Sequence, residues 1–311
     1  MVRIPRSSAN QDVELKGFFT SGNAMRFCTW RTVRRWLGAF VAASCCLVAA
    51  ASARGETLSE RLIADAKDGE LNQFDYVAAA FIAGGVTDEQ ELKRCLADYA
   101  AKRSQVLESC RATSSAGERL AELHRAMHQR MLRGQYQSAA SDLRVVLETG
   151  NFNCLSAVVI YWDLCQTSEL ALEIWLAPGH VDLHSPGVAD SIAPAAKAWQ
   201  SQAPGDASPA RQITPVELLG KFYYNRGVEL LERKQFAAGL GLVEKALQLD
   251  AADVDARENL LAGINNWAVD RLRAKRPQEA AALIRRGLSL APAFAPLIAN
   301  EQLLQEAAAV P

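Results

Sequence analysis

Between Thr57 and about Leu147, apolar residues recur at intervals of three and four, which predicts an almost unbroken succession of helices. "TLSERLIADAKDGE" opens with Thr57 as N-cap and Glu60 three residues on, a capping box. "GGVTDEQELKRCLADYAAKRSQVLESC" carries the same signature at Thr87 and Gln90. In "SAGERLAELHRAMHQRML", Leu120, Leu123, Met127 and Met131 fall at helix spacing and read as a core-facing stripe. His124 and His128 lie one turn apart, a spacing that can hold a metal. A third ligand with suitable context is missing, so the pair is read as part of a solvated helix face.

The period changes at Gly150 and Asn151. A helix is expected from Cys154 to about Gln166. Leu170, Leu172, Ile174 and Leu176 then alternate with Ala171, Glu173 and Trp175, a period of two that predicts a strand. Pro178 and Gly179 interrupt it just before His180. After Leu183 the chain turns rich in turn formers, and "SQAPGDASPARQITP" from Ser201 to Pro215 reads as a linker. Trp162 and Trp175 are expected to be core aromatics, and Asp163 and Glu173 to be solvated.

The C-terminal third repeats itself. "YYNRGVELLERKQFAAGLGLVEKALQLDA" from Tyr223 aligns with "INNWAVDRLRAKRPQEAAALIRRGLSLAP" from Ile264, an offset of 41 residues. Asn225 matches Asn266, Gly227 matches Ala268, Gly239 matches Ala280, Ala246 matches Gly287 and Leu247 matches Leu288. Small residues at these places let paired helices approach closely. The pattern, from about Pro215 to Phe294, resembles the tetratricopeptide repeat. Gly227 stands for its small helix-A residue, Phe236 for its helix-B aromatic, Ala246 for its late alanine and Pro292 for its closing proline. It departs from that family at Ala251, where proline is usual, and at Pro277, where an aromatic is usual. The offset exceeds the family's period of about 34, so an extended linking helix is expected. Two such units need neighbours to cover their apolar faces. The first is expected to pack on the preceding region, and "PLIANEQLLQEAAAV" to cap the second.

Composition adds limits. The chain has 311 residues, half of them apolar, with a formal net charge of −1. That suffices for two domains of ordinary size and argues against nucleic-acid binding through bulk charge. The first 53 residues read as a leader. Arg26, Arg31, Arg34 and Arg35 precede an uncharged apolar run from Trp36 to Ala51, and Ala51-Ser52-Ala53 has the form of a cleavage site. Export to the periplasm or cell envelope follows from a cleaved signal at about 25–53, and membrane anchoring from an uncleaved one. The start can be Met1 or Met25. Cys28, Cys45 and Cys46 fall in the leader, which leaves Cys95, Cys110, Cys154 and Cys165. Cys95 and Cys110 are roughly 22 Å apart along one helix and Cys154 and Cys165 roughly 16 Å along another, too far for those disulfides.

Cys154 stands where the helix begins, just after the capping types Asn151 and Asn153. Unpaired N–H groups at a helix start lower a thiol pKa, and the thiolate is the nucleophilic form. A nucleophilic cysteine also needs a base, and His180, at the end of the strand that follows, is the candidate. His184 is the second choice.

"FNCLSAVVIYWDLC" resembles the nucleophile segment of the transglutaminase-like superfamily, and "LEIWLAPGHV" its histidine strand. More narrowly, the chain resembles exported bacterial proteins with a transglutaminase-like core followed by tetratricopeptide repeats, to which "GQYQSAASDLRVVLETGNFNC" and "RQITPVELLGKFYYNRGVELL" also fit. The resemblance implies that Cys154 attacks an amide carbonyl, that His180 moves the proton, and that a downstream acid orients His180. That acid's usual place falls near Ala193 to Ala195. The nearest acid is Asp190, and Asp182 stands beside His180 on the strand. Either a shortened hairpin brings Asp190 into place or the acid has been lost.

The expected architecture is predominantly α with a small α+β part. A leader at 1–53 precedes a helical region at 54–147 and a transglutaminase-like core with a short antiparallel sheet at 148–200. A linker at 201–214 leads to the α-α repeats with a capping helix at 215–311. Two functions stay open. One is an exported cysteine amide hydrolase or acyl transferase that needs no cofactor or metal. The other is a non-catalytic scaffold with a degenerate core. In both, the repeats bind a protein or peptide partner, with Asn225, Arg226 and Asn266 as candidate contacts, and no nucleic acid is involved. The membrane is contacted only through an uncleaved leader.

Overall fold

The computed structural model describes residues 55–177, 179–197 and 211–309. The leader with its three cysteines and most of the expected linker lie outside the described residues.

Helix α1 (Leu58–Asp65) is followed by a 3-10 turn (Ala66–Asp68), and then α2 (Tyr76–Gly84), α3 (Glu89–Ser109), α4 (Ala116–Arg130), α5 (Leu143–Thr149) and α6 (Cys154–Thr167). The helical reading of this region holds, with one cap moved: α3 starts on Asp88, whose carboxylate accepts from the N–H groups of Gln90 and Glu91, not on Thr87. A carboxylate there both satisfies orphan donors and complements the helix dipole. Helix α2 is apolar all round and buried from Val77 to Gly84, as a central helix must be. It packs on α3, α5 and α6.

Strands β1 (Glu173–Ala177), β2 (His180–Ser185), β3 (Ala189–Ile192) and β4 (Arg211–Ile213) form one antiparallel sheet in the order β3-β2-β1-β4. Two expectations are corrected here. The stretch after Leu183 continues as strand to Ser185 and returns as β3. The end of the expected linker is β4, where Ile174 pairs with Ile213 and Leu176 with Arg211. Ile174, Val181, Leu183, Ile192 and Ile213 are buried, and β2 packs against α6. The alternate residues Glu173, Trp175, His180, Asp182 and His184 share the more open face.

Helices α7 (Pro215–Glu232) and α8 (Phe236–Leu249), then α9 (Val254–Arg273) and α10 (Pro277–Leu290), pack as consecutive pairs, with α11 (Ala295–Ala309) against α10. The matched small positions are the close approaches. A Cβ at Gly227 would meet the Gly239 carbonyl oxygen at 3.0 Å, and Ala268 and Ala280 are fully buried. Lys234 and Lys275, equivalent under the repeat offset, both turn the chain at positive φ. As expected, the first pair packs on the preceding region: α7 lies against α2, and the Tyr223 hydroxyl meets Ser59 Oγ at 2.9 Å. Leu297 of α11 is buried beside Gly287, and Asn300 donates to Asn265 at 2.8 Å.

Three side-chain expectations also change. His124 is 1 % exposed, and the His124 and His128 rings lie 4.6 Å apart beneath residues 193–197, with the Pro194 carbonyl oxygen 2.9 Å from His128 Nε2. They are not on a solvated face. Asp163 is not solvated either: it accepts from the Tyr99 hydroxyl at 2.7 Å and pairs with Arg103. Trp175 is half-buried on the open sheet face, stacked on His184, rather than a core aromatic.

Candidate functional site

Cys154 is the first residue of α6, and the local sequence fixes that start. The Asn153 side chain accepts from Ser156 N–H, and Ser156 Oγ accepts from Asn153 N–H, each at 3.0 Å. Ser156 Oγ donates to the Ala140 carbonyl and the Asn153 amide to the Ser138 carbonyl, both at 2.9 Å. The cap is thereby anchored to the segment between α4 and α5. Asn151, the other expected capping residue, instead accepts from Gln135 N–H at 2.9 Å.

That segment runs beside the residues before Cys154. Gly134 N–H donates to Gly150 O at 2.9 Å, Gln137 N–H donates to Phe152 O at 2.8 Å, and Tyr136 forms a parallel bridge with Phe152. The Tyr136 phenol and the Cys154 thiol are near enough to influence each other's ionisation. No motif spacing announces this tyrosine; "GQY" reads only as a break between helices.

The electrostatics differ from the expectation of a lowered thiol pKa. Burial pushes the Cys154 thiol up. The Tyr136 hydroxyl and the backbone N–H groups of Leu155 and Cys154 pull it down, the charge of Asp182 pushes it up again, and the net direction is up. The helix start does act as expected, but desolvation of the thiolate outweighs it. Burial, with the adjacent thiol, holds the Tyr136 phenol up at about 12.

His180 opens β2. Its Nε2 lies 2.8 Å from Asp182 Oδ1, and that hydrogen bond raises the imidazole pKa against the opposing effect of burial. The acid on His180 is therefore Asp182, two residues along the same strand face. Asp190 lies in β3, and its side chain is outside the described residues. Residues 193–195, where the orienting acid was expected, cover the His124–His128 pair instead. His184 stacks on Trp175 with ring centroids 5.1 Å apart. Elements α6 and β2 pack together, but His180 stands on the open face of β2, opposite the buried row of Val181 and Leu183; Asp182 touches the histidine, and its charge is felt at the thiol.

On the repeats, Asn225 and Asn266 are exposed at equivalent positions. Arg226 is not available in the same way, because its guanidinium donates to the Ala83 carbonyl at 2.7 Å and closes the end of α2. A groove of about 410 Å³ between α10 and α11, lined by Pro277, Ala281, Ile284, Arg285, Glu301 and Leu304, gives the C-terminal pair a concave surface. Among the described residues no cluster of three or more His, Cys, Asp or Glu could hold a metal, and no helix is long and apolar enough to cross a membrane. Cys95, Cys110, Cys154 and Cys165 are free thiols.

Comparisons of the chain with protein-family models, curated proteins and solved structures return no match.

Proposed function

We propose that the protein is an exported, transglutaminase-like cysteine enzyme acting on amide bonds, with its C-terminal helix pairs as tetratricopeptide-type repeats that bind a protein partner. The observation that carries this reading is Asp182. It holds His180 Nε2 at 2.8 Å, leaving Nδ1 to serve as base, and its charge reaches Cys154 at the start of the packed helix.

In the proposed reaction the Cys154 thiol gives its proton to His180, and the sulfur bonds to the amide carbonyl carbon. The oxyanion accepts from backbone N–H at the start of α6. His180 then protonates the amine as the C–N bond breaks, leaving a thioester on Cys154. Water or a second amine attacks that thioester, giving hydrolysis or transfer, and the thiol is restored.

A second reading has its own support. Burial keeps Cys154 protonated at rest, and His180 stands on the open sheet face, away from the row of Val181 and Leu183 that packs inward. Both features suit a non-catalytic core that displays the repeats.

Alkylation of Cys154 by iodoacetamide against pH, read by peptide mass, separates the two. The enzyme reading expects His180→Ala to slow alkylation at neutral pH and to move the midpoint upward. Superimposable profiles would leave the scaffold reading.

A further inference from the structure

Where α1 and the end of α2 meet α7 and α8, positive charge gathers without matching acids. Gly85 turns the chain there at φ 119°, and a Cβ on it would lie 3.2 Å from Nη2 of both Arg144 and Arg226. Two guanidinium groups therefore crowd over one glycine. Arg144 is neutralised, because its Nη2 meets Asp142 Oδ2 and its Nη1 meets Glu91 Oε1, each at 2.7 Å. Arg226 is not. Its hydrogen-bond partner is the neutral Ala83 carbonyl, through Nη1. The acids whose charge reaches it, Asp142 and Glu229, are committed to Arg144 and Arg233.

One turn back on α7, Tyr223 shares the side of the helix that carries Arg226. Its hydroxyl meets Ser59 Oγ at 2.9 Å. Lys245 Nζ of α8 donates to the same Ser59 oxygen at 2.7 Å and stands 5.9 Å from the centroid of the Tyr223 ring. Among the described residues Lys245, like Arg226, forms no ion pair; its partner is a neutral hydroxyl. Burial pushes the Lys245 ammonium down, the Glu60 charge opposes that, and the Arg226 charge adds to it. Ser59, Arg226 and Lys245 are half-buried, so solvent and solutes reach them.

A guanidinium carries five donors in a planar fork and an ammonium three. One of each is used here, on Ala83 O and Ser59 Oγ. Two half-buried cations without acids weaken a fold until an anion neutralises them. We propose that this junction binds a phosphate-class oxyanion, gripped by Arg226 Nη2 from α7 and Lys245 Nζ from α8, with the Ser59 hydroxyl beside the lysine. Two positive charges and donors from three helices match a tetrahedral dianion better than a carboxylate, which offers two oxygens and one charge. An anion seated there ties α1 and α2 to the first repeat pair. The site uses none of the groups of the cysteine reading and stands independently of it.

Calorimetric titration of the full chain with sodium phosphate, and separately with phenyl phosphate, at constant ionic strength is the test. The wild type is expected to bind phosphate saturably. Lys245→Met keeps the aliphatic stem and loses the charge and the Ser59 bond, and is expected to bind about tenfold more weakly. Arg226→Lys keeps the charge but loses the fork, and is expected to weaken binding by a smaller factor. Urea unfolding gives a second reading: phosphate should raise the wild-type midpoint saturably and give Lys245→Met only the general effect of the salt. Binding of phenyl phosphate as well assigns the site to phosphate esters, and binding of phosphate alone to the free anion; both support the proposal. No saturable binding of either probe by the wild type, or undiminished binding by Lys245→Met, would overturn it. Neither result bears on the alkylation of Cys154, so the two readings fail separately.

Discussion

Asp182 and His180, two residues apart on β2, point the same way and meet at 2.8 Å between Oδ1 and Nε2. The pairing follows from strand geometry, because residues i and i+2 share a face. The same carboxylate raises two groups with opposite consequences. It makes His180 a stronger base and Cys154 a weaker acid.

Asp182→Asn separates these effects. The His180 midpoint, followed by histidine NMR, is expected to fall, and the Cys154 alkylation midpoint is expected to fall with it. For His180 the sign is that of a base with a raised folded pKa. The pair's stabilisation is complete below the ordinary value near 6.5 and is lost as pH rises through the folded value. Midpoints unmoved by the substitution would mean that the carboxylate is screened from both groups.

The helix pairs give a sharper structural prediction. A Cβ at Gly239 would lie 2.8 Å from Leu231 Cγ and 2.9 Å from the Gly227 carbonyl oxygen, whereas one at Gly241, two residues on, meets nothing within 4 Å. Gly239→Ala must push α7 and α8 apart and is expected to cost about 1–3 kcal/mol. Gly241→Ala restricts the unfolded chain at an open helical position and is expected to stabilise by about 0.5–1 kcal/mol. Urea midpoints of the two variants should move in opposite directions; a shared direction would refute the close approach.

These elements also show what the sequence can and cannot carry. Gly239 was legible because close helix packing demands a small side chain at a fixed place in each repeat, and the offset exposes it. The start of α6 was legible because Asn153 is a capping type next to an apolar run. Strand β4 was not: Arg211–Ile213 follows a Pro-, Gly- and Ser-rich stretch, and only pairing with distant β1 makes it a strand. The face carrying His180 was written in the alternation, yet its acid was sought further down the chain than Asp182. Tyr136 and the burial of the histidine pair were invisible for the same reason as β4. Each depends on a segment far away in sequence, and spacing along the chain encodes only local neighbours.

The histidine pair leads to a test of stability against pH. His124 is held down at about 4, first by burial and then by the neighbouring His128, whose own pKa burial also lowers. The carbonyl groups of residues 193 and 196 oppose this shift at His124 but do not overcome it. A folded pKa below the ordinary 6.5 means that the unfolded chain binds the extra proton first. The contribution of His124 to stability is therefore complete above pH 6.5 and is lost as pH falls toward about 4, by about 3 kcal/mol in all. His124→Leu keeps an apolar side chain of similar size in the same buried place and removes the titration. Denaturant unfolding between pH 7 and about 4 should show a steep loss in the wild type and a shallower one in the variant, the remaining slope coming in part from His128. Equal slopes would mean that residues 193–197 lift off the pair and let water reach it before either imidazole has to take up its proton.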